Sequence, residues 1–268
     1  MNVRNKIIHA NCVDLLSEIP NETFHMVITS PPYDNLRKYE GIKFNFTEIA
    51  QQLYRTLITG RVLIWVVNDA TINGSETGTS FRQALEFINL GFNLHDTMIF
   101  RKTNPIPQIY SKRYNGEFEY MFVLSKGRVE VHNPIRVPCL HAGLELNSTT
   151  YKNYSPGKQK RTKYAKPVRK EKVKGNIWEY VVGKNVLDQG AKEHPAPFPI
   201  QLALDHIISW TNEGDMVLDP MCGSGTACLA AAMQKRIFTG IDLSKNYCRI
   251  AEQRIFEVLE ANQNELKF

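Results

Sequence analysis

The chain has 268 residues, 43% hydrophobic and 22% charged, which is enough for one large α/β domain with a sizeable core. No apolar run approaches the ~18 residues that span a bilayer, and the opening MNVRNKIIHANCVDLL lacks the apolar segment and cleavage site of a secretory signal, so a membrane protein is not expected. The net charge is +6, but residues 151–175 alone hold ten Lys/Arg against one Glu, which leaves the remainder mildly acidic and marks that stretch as a polyanion-binding segment.

Lys6–His9 reads as a short strand, and Cys12–Ile19 has helical spacing that Pro20-Asn21 breaks. Met26-Val27-Ile28-Thr29 is apolar and β-branched and reads as a buried strand running into Ser30-Pro31-Pro32-Tyr33. Phe46–Leu57 has helical spacing. Arg61–Val67 (RVLIWVV) is the continuous apolar run of a strand buried on both faces. A helix over Thr79–Leu90 ends before Gly91, and Leu94–Phe100 and Tyr120–Leu124 read as strands suited to antiparallel pairing. From Lys126 to about Glu193 the periodicity fades into polar, basic and turn residues. Order returns with a helix at Ile200–Trp210, a strand at Met216–Asp219, a small-residue helix at Thr226–Gln234, a strand at Phe238–Asp242 and a helix at Ser244–Ala261. Strands alternating with helices predict an α/β fold with a mostly parallel sheet and helices on both faces. The domain expectation is 1–125, an inserted basic region at 126–193, and 194–268. The five cysteines (Cys12, Cys139, Cys222, Cys228, Cys248) form no CxxC pair, so neither a metal site nor a disulfide framework is expected, and a cytoplasmic setting is.

Two turns carry chemistry. In MVLDPMCGSGT, residues 216–226, a short strand ends in Asp219-Pro220, and Gly223-Ser224-Gly225 then leads through Thr226 into a helix. Glycines there permit a tight turn and close approach of a ligand. Seventeen residues after Gly225 the next strand ends in Asp242, placed to accept hydrogen bonds from ribose hydroxyls. The third glycine of the dinucleotide fingerprint is replaced by Cys228, and no Lys follows the glycines, so a nucleoside without a pyrophosphate fits best. S-adenosylmethionine is the natural candidate. The second turn is Ser30-Pro31-Pro32-Tyr33, where two prolines with fixed φ follow a strand end and push an aromatic ring outward.

Together, Ser30-Pro31-Pro32-Tyr33 and Asp219-Pro220-Met221-Cys222-Gly223-Ser224-Gly225-Thr226, in that order and with a basic region between, resemble the β group of amino-group DNA methyltransferases, which modify cytosine N4 or adenine N6. The resemblance covers most of 6–125 and 194–261. It implies a Rossmann-like seven-stranded sheet, S-adenosylmethionine as cofactor and double-stranded DNA as partner. Ser30, Pro31, Pro32 and Tyr33 would be catalytic, with Tyr33 stacking on a flipped base. Asp219, Pro220, Gly223, Ser224, Gly225, Thr226 and Asp242 would hold the cofactor. Phe198 and Pro199 are carried over as lining its methionine end, and Asn11-Cys12 falls where many members have Gly-Asp before Cys, near its adenine. Serine in the catalytic turn favours cytosine N4, with adenine N6 the alternative. The resemblance also implies a site-specific restriction–modification setting, in which any cutting enzyme would be separate; the oligomeric state is open, although members of this group often form homodimers.

The region 126–193 matches no motif. Its Lys/Arg interleaved with Tyr151, Tyr154 and Tyr164 suit phosphate contacts and stacking, with Lys158, Lys160, Arg161 and Lys163 as DNA-binding candidates. Asn68-Asp69, at the tip of the RVLIWVV strand, reads as a cap or as part of the active face. Pro138-Cys139 is the only Pro-Cys, but it lies away from a strand end that could present a C5-type nucleophile. A non-catalytic DNA-binding module would explain the basic segment but not two ligand-shaped turns. The methyltransferase reading requires those two turns, nearly two hundred positions apart, to meet at one rim of the sheet.

Overall fold

The computed structural model describes residues 2–32, 44–105, 107, 112–143, 148–152, 160–164, 168–183 and 199–265, with backbone alone for 148–152, 160–164 and 261–265. The chain divides into two compact units, residues 1–133 with 176–268, and Pro134–Gly175. The second is narrower than the 126–193 region expected from the loss of periodicity.

The larger unit is built on an eight-stranded sheet. Its order is β1 (Lys6–His9), β14 (Ile237–Asp242), β13 (Met216–Asp219), β2 (Phe24–Thr29), β3 (Leu57–Val67), β7 (Phe118–Ser125), β6 (Asn93–Lys102) and β12 (Ile177–Tyr180). Only β7 runs against its neighbours, β3 and β6; every other pairing is parallel. Seven strands were expected. The eighth, β12, has the sequence IWEY and buries only Trp178 and Tyr180, two alternate positions in a Lys-rich stretch, too few to register as a period. It pairs along β6 from Ile177↔Ile99 to Tyr180↔Lys102.

Handed crossovers explain why both faces are covered. From β1 through α1 (Cys12–Glu18) to β2, through α2 (Phe46–Thr56) to β3, and through α3 (Thr79–Asn89) to β6, the chain moves one way across the sheet. Through α4 (Ile200–Trp210) to β13 and α5 (Thr226–Met233) to β14 it moves the other way. Right-handed connections moving in opposite directions must lay their helices on opposite faces. One face accordingly packs Leu16, Leu53 and Phe87 of α1–α3 against Val27, Leu63, Trp65 and Phe122. On the other, His206 of α4 meets Met121, the neighbour of Phe122 that points the opposite way, and α6 (Lys245–Glu265) packs on β1 and β14. Trp65 is fully buried, with Phe46 and Phe87 edge-on at 5.6 and 5.1 Å, and its indole N–H donates to Gln83 at 2.8 Å. Among the described residues no helix is long and apolar enough to cross a membrane.

A small hairpin, β4 (Thr71–Ile72) with β5 (Ser75–Glu76), follows β3. The Pro134–Gly175 unit contains two antiparallel pairs, β8 (Arg136–Pro138) with β11 (Glu171–Val173) and β9 (Ser148–Lys152) with β10 (Lys160–Tyr164). Strands this short and polar leave no apolar alternation to read in the sequence.

Candidate active site

Strands β1, β14, β13, β2 and β3 are mutually parallel, so their carboxyl ends share one rim, at His9, Asp242, Asp219, Thr29 and Val67 in order. The chain leaves β13 for β14 on one side and β2 for β3 on the other. The crevice between β13 and β2 is therefore a topological switch point, where open α/β sheets bind ligands. The Gly-rich turn and the described residues Ser30-Pro31-Pro32 both follow strand ends at this crevice.

Asp219 ends β13 and is 3% exposed. Its Oδ1 accepts hydrogen bonds from Thr29 Oγ1 at 2.8 Å and from the Met221 backbone N–H at 3.2 Å. Burial pushes its pKa up to about 7, against the pull of those two hydrogen bonds and with a contribution from the charge of Asp242. Asp242, at the end of β14, accepts from the Gly223 N–H through Oδ2 and from the Ser244 N–H through Oδ1, both at 2.8 Å. Burial raises its pKa as well, offset by the hydrogen bonds from Ser244 and Gly223. The turn between them is stitched to β14 by Cys222 N–H to Ile241 O at 2.8 Å. Gly223 and Gly225 take φ of 51° and 79°, the left-handed region that favours glycine. A Cβ on Gly225 would also stand 2.6 Å from the Ala251 Cβ. Pro220, Ser224 and Thr226 are buried, and Thr226 opens α5.

Ser30-Pro31-Pro32 follows Thr29 directly, with Pro31 buried and Ser30 and Pro32 half-buried. Thr29 was missed in the sequence because its hydroxyl partner lies 190 positions away and a strand-end threonine carries no local mark. Arg254 was also missed; it lies buried beneath the Gly-rich turn. Tyr33 and Phe198 fall outside the described residues. Pro199 starts α4, its carbonyl accepting from Leu202 N–H at 3.0 Å. Asn11 caps α1 by accepting from the Val13 N–H at 2.9 Å, next to the point where Ala10 N–H reaches Asp242 O. Cys12 is buried there, and burial pushes its thiol up to about 11. Asp69 holds the start of α3 through the Ser80 N–H at 2.9 Å and Ser80 Oγ at 2.5 Å, which is the capping role. In the other unit, Lys160, Arg161 and Lys163 stand on β10, and Lys158 is outside the described residues.

The donor set fits an adenosyl sulfonium cofactor. A buried carboxylate with a raised pKa gains from a cationic ligand, and Asp242, with one N–H on each oxygen, keeps acceptor capacity for hydroxyls. Among the described residues no cluster of three His, Cys, Asp or Glu could hold a metal ion.

The comparisons with known proteins agree with this architecture. The family model for DNA methylase, N6/N4 type, matches residues 24–253. The chain is 46% identical over 237 residues to the orphan methyltransferase M.BamHII of Bacillus amyloliquefaciens, covering 87% of this chain and 89% of that one. It is 25% identical to the type II methyltransferase M.HinfI of Haemophilus influenzae, covering 98% and 71%. Among solved structures, the cytosine-N4-specific PvuII DNA methyltransferase shares the fold at a TM-score of 0.69 and 18% identity, over 92% and 85% of the two chains. An M1.HpyAVI–SAM complex does so at 0.61 and 20%, over 93% and 98%. The chain belongs to the N6/N4 DNA methylase family: it is a DNA methyltransferase that acts on an exocyclic amino group.

Proposed function

We propose that the protein transfers the methyl group of S-adenosylmethionine to N4 of cytosine at specific sites in duplex DNA. The observation that carries this reading is the 2.8 Å hydrogen bond from Thr29 Oγ1 to Asp219 Oδ1, which ties the strand end bearing Ser30-Pro31-Pro32 to the strand end bearing the Gly-rich turn.

The bound cofactor supplies an electrophilic methyl carbon on a cationic sulfur. Asp219, freed of its proton, balances the cofactor's positive charge, and Asp242 accepts its ribose hydroxyls. Gly223 and Gly225 let the backbone approach closely. The amino nitrogen of cytosine is a poor nucleophile because its lone pair is delocalised into the ring. Ser30 Oγ and a main-chain carbonyl of Ser30 or Pro31 accept its two hydrogens and return electron density to the nitrogen as it attacks. Pro31 and Pro32 hold those acceptors in place, so the gain is preorganisation, without a covalent intermediate. As the C–S bond breaks and the N–C bond forms, one amine proton leaves through Ser30 Oγ, which can take it and release its own to solvent; the main-chain carbonyl accepts a hydrogen bond only. Tyr33 stacks on the extruded base. The basic residues Lys158, Lys160, Arg161 and Lys163 bind phosphates, which position the protein on DNA without reading sequence.

Serine at position 30 supports cytosine over adenine as target. The names of the relatives, an orphan and several type II methyltransferases, support site-specific DNA modification with any endonuclease on a separate chain. DNA from a host expressing the protein, digested to nucleosides and analysed by mass spectrometry, should contain N4-methylcytosine. N6-methyladenine alone would overturn the base assignment and keep the enzyme class.

A further inference from the structure

The Gly-rich turn is held from beneath by α6, and that helix meets it at two positions three residues apart, on one helix face. Ala251 stands where a Cβ on Gly225 would intrude, at 2.6 Å. Arg254 is 5% exposed. Its guanidinium donates to the main-chain oxygen of Ser224, and its Nη1 lies 3.2 Å from Ser224 Oγ and 3.4 Å from Thr226 Oγ1. The methyl of Ala251 sets how near the turn comes to α6, and the guanidinium sets which way the Ser224–Gly225 peptide faces.

Such a clamp answers a physical need. Glycines carry the largest backbone freedom of any residue and lose it on folding. A turn with positive φ at Gly223 and Gly225 has no Cβ at either position to restrict it, and the peptide between Ser224 and Gly225 has a glycine on one side. The turn's other anchors, Cys222 N–H to Ile241 O, Gly223 N–H to Asp242 and Gly225 N–H to Cys222 O, engage amides; the Ser224 carbonyl is engaged by Arg254. All three contacts come from Nη1, whose direction the planar guanidinium fixes, which a lysine ammonium on its freely rotating stem does less well. Charge-assisted hydrogen bonds are also the strong ones in a water-excluded site.

We propose that Arg254 is a positioning residue for the cofactor site. It does not touch the cofactor; it fixes the Ser224–Gly225 peptide, so that Gly223–Thr226 offers one backbone shape to the ligand before the ligand arrives. The ligand part of this rests on the S-adenosylmethionine reading above, and the clamp on the turn does not.

The test compares Arg254→Met, which keeps the length of the stem but removes the donors, and Arg254→Lys, which keeps the charge. In the ligand-free full-length protein, amide hydrogen exchange across residues 222–226 should rise about tenfold or more in Arg254→Met, with exchange in β3 unchanged. KM for S-adenosylmethionine should rise about tenfold to a hundredfold, with kcat at saturating cofactor and affinity for DNA within about twofold of wild type. Arg254→Lys should recover part of the loss, and it carries the same measurements if Arg254→Met does not fold. Unchanged exchange across the turn would overturn the proposal. So would a loss spread equally over kcat, DNA affinity and melting temperature, the mark of a scaffold residue. Should wild type bind no S-adenosylmethionine while exchange across the turn still rises in Arg254→Met, the cofactor reading fails and the clamp stands.

Discussion

Six consecutive residues of β3, Val62–Val67, are buried, whereas all three residues of β11, Glu171–Val173, are exposed. The two strands represent the two units. In the larger one, removing a buried Leu or Ile side chain costs about 2–5 kcal/mol because the surroundings cannot collapse to fill the space. Exposed positions away from special features shift stability by only about ±0.5 kcal/mol. The rim of that sheet rests on a packed core, the setting that holding reacting atoms to within about an ångström requires. The Pro134–Gly175 unit is rich in Lys and Arg, and its described strands β8 and β11 are exposed at five of six positions, so substitutions there cost little stability.

Three experiments test how differently the two regions behave. The largest effect is expected at the rim. Ser30→Ala, with both prolines kept, should lower the single-turnover rate of methyl transfer by about a hundredfold to a thousandfold, the scale of removing one preorganised partner from a reacting group. Affinities for cofactor and DNA should stay within about twofold. A variant that weakens DNA binding instead would mean the turn serves docking and not chemistry. Next is the basic segment. Replacing Lys158, Lys160, Arg161 and Lys163 together by Gln should reduce the slope of log K against log salt for DNA by about three to four units, near 0.9 for each phosphate that the protein no longer neutralises, and leave cofactor affinity alone. An unchanged slope would remove this segment from the DNA interface.

The smallest effect is in the pH dependence of cofactor affinity, measured by calorimetry. Burial raises the Asp219 pKa to about 7, so without ligand the folded protein holds that proton below pH 7. If only the carboxylate accepts the cationic cofactor, its Kd should be about tenfold weaker at pH 6 than at pH 8. The stability of the ligand-free protein takes the opposite course. The extra proton favours the folded state below the unfolded carboxyl pKa of about 3.8, and that contribution is lost as pH rises through about 7. In Asp219→Asn, with no carboxyl left to titrate, the pH dependence of cofactor affinity should flatten.

The local features of this protein were legible one by one. The helix at Ile200–Trp210 and the strand at Met216–Asp219 have the ends that periodicity and flanking residues indicated, and Phe46–Thr56 differs from its expected span by one residue. The Gly-rich turn and the proline-locked turn were both visible because glycine and proline act on their own φ, which no distant contact has to supply. Less was visible where burial is slight: β12 rests on two aromatics, and the strands of Pro134–Gly175 on almost no apolar pattern.

The residues alone determined the strongly periodic helices and the buried strands, and they marked the Gly-rich and Pro-Pro segments, since those follow from side-chain period and from the covalent limits of Gly and Pro. That β13 lies beside β2, that Thr29 reaches Asp219 across 190 positions and that Arg254 lies under the Gly-rich turn came from the packing of the whole domain. Neighbours in a sheet are chosen by the handedness of crossovers and by the burial of both faces together, and neither leaves a mark in any short stretch of sequence.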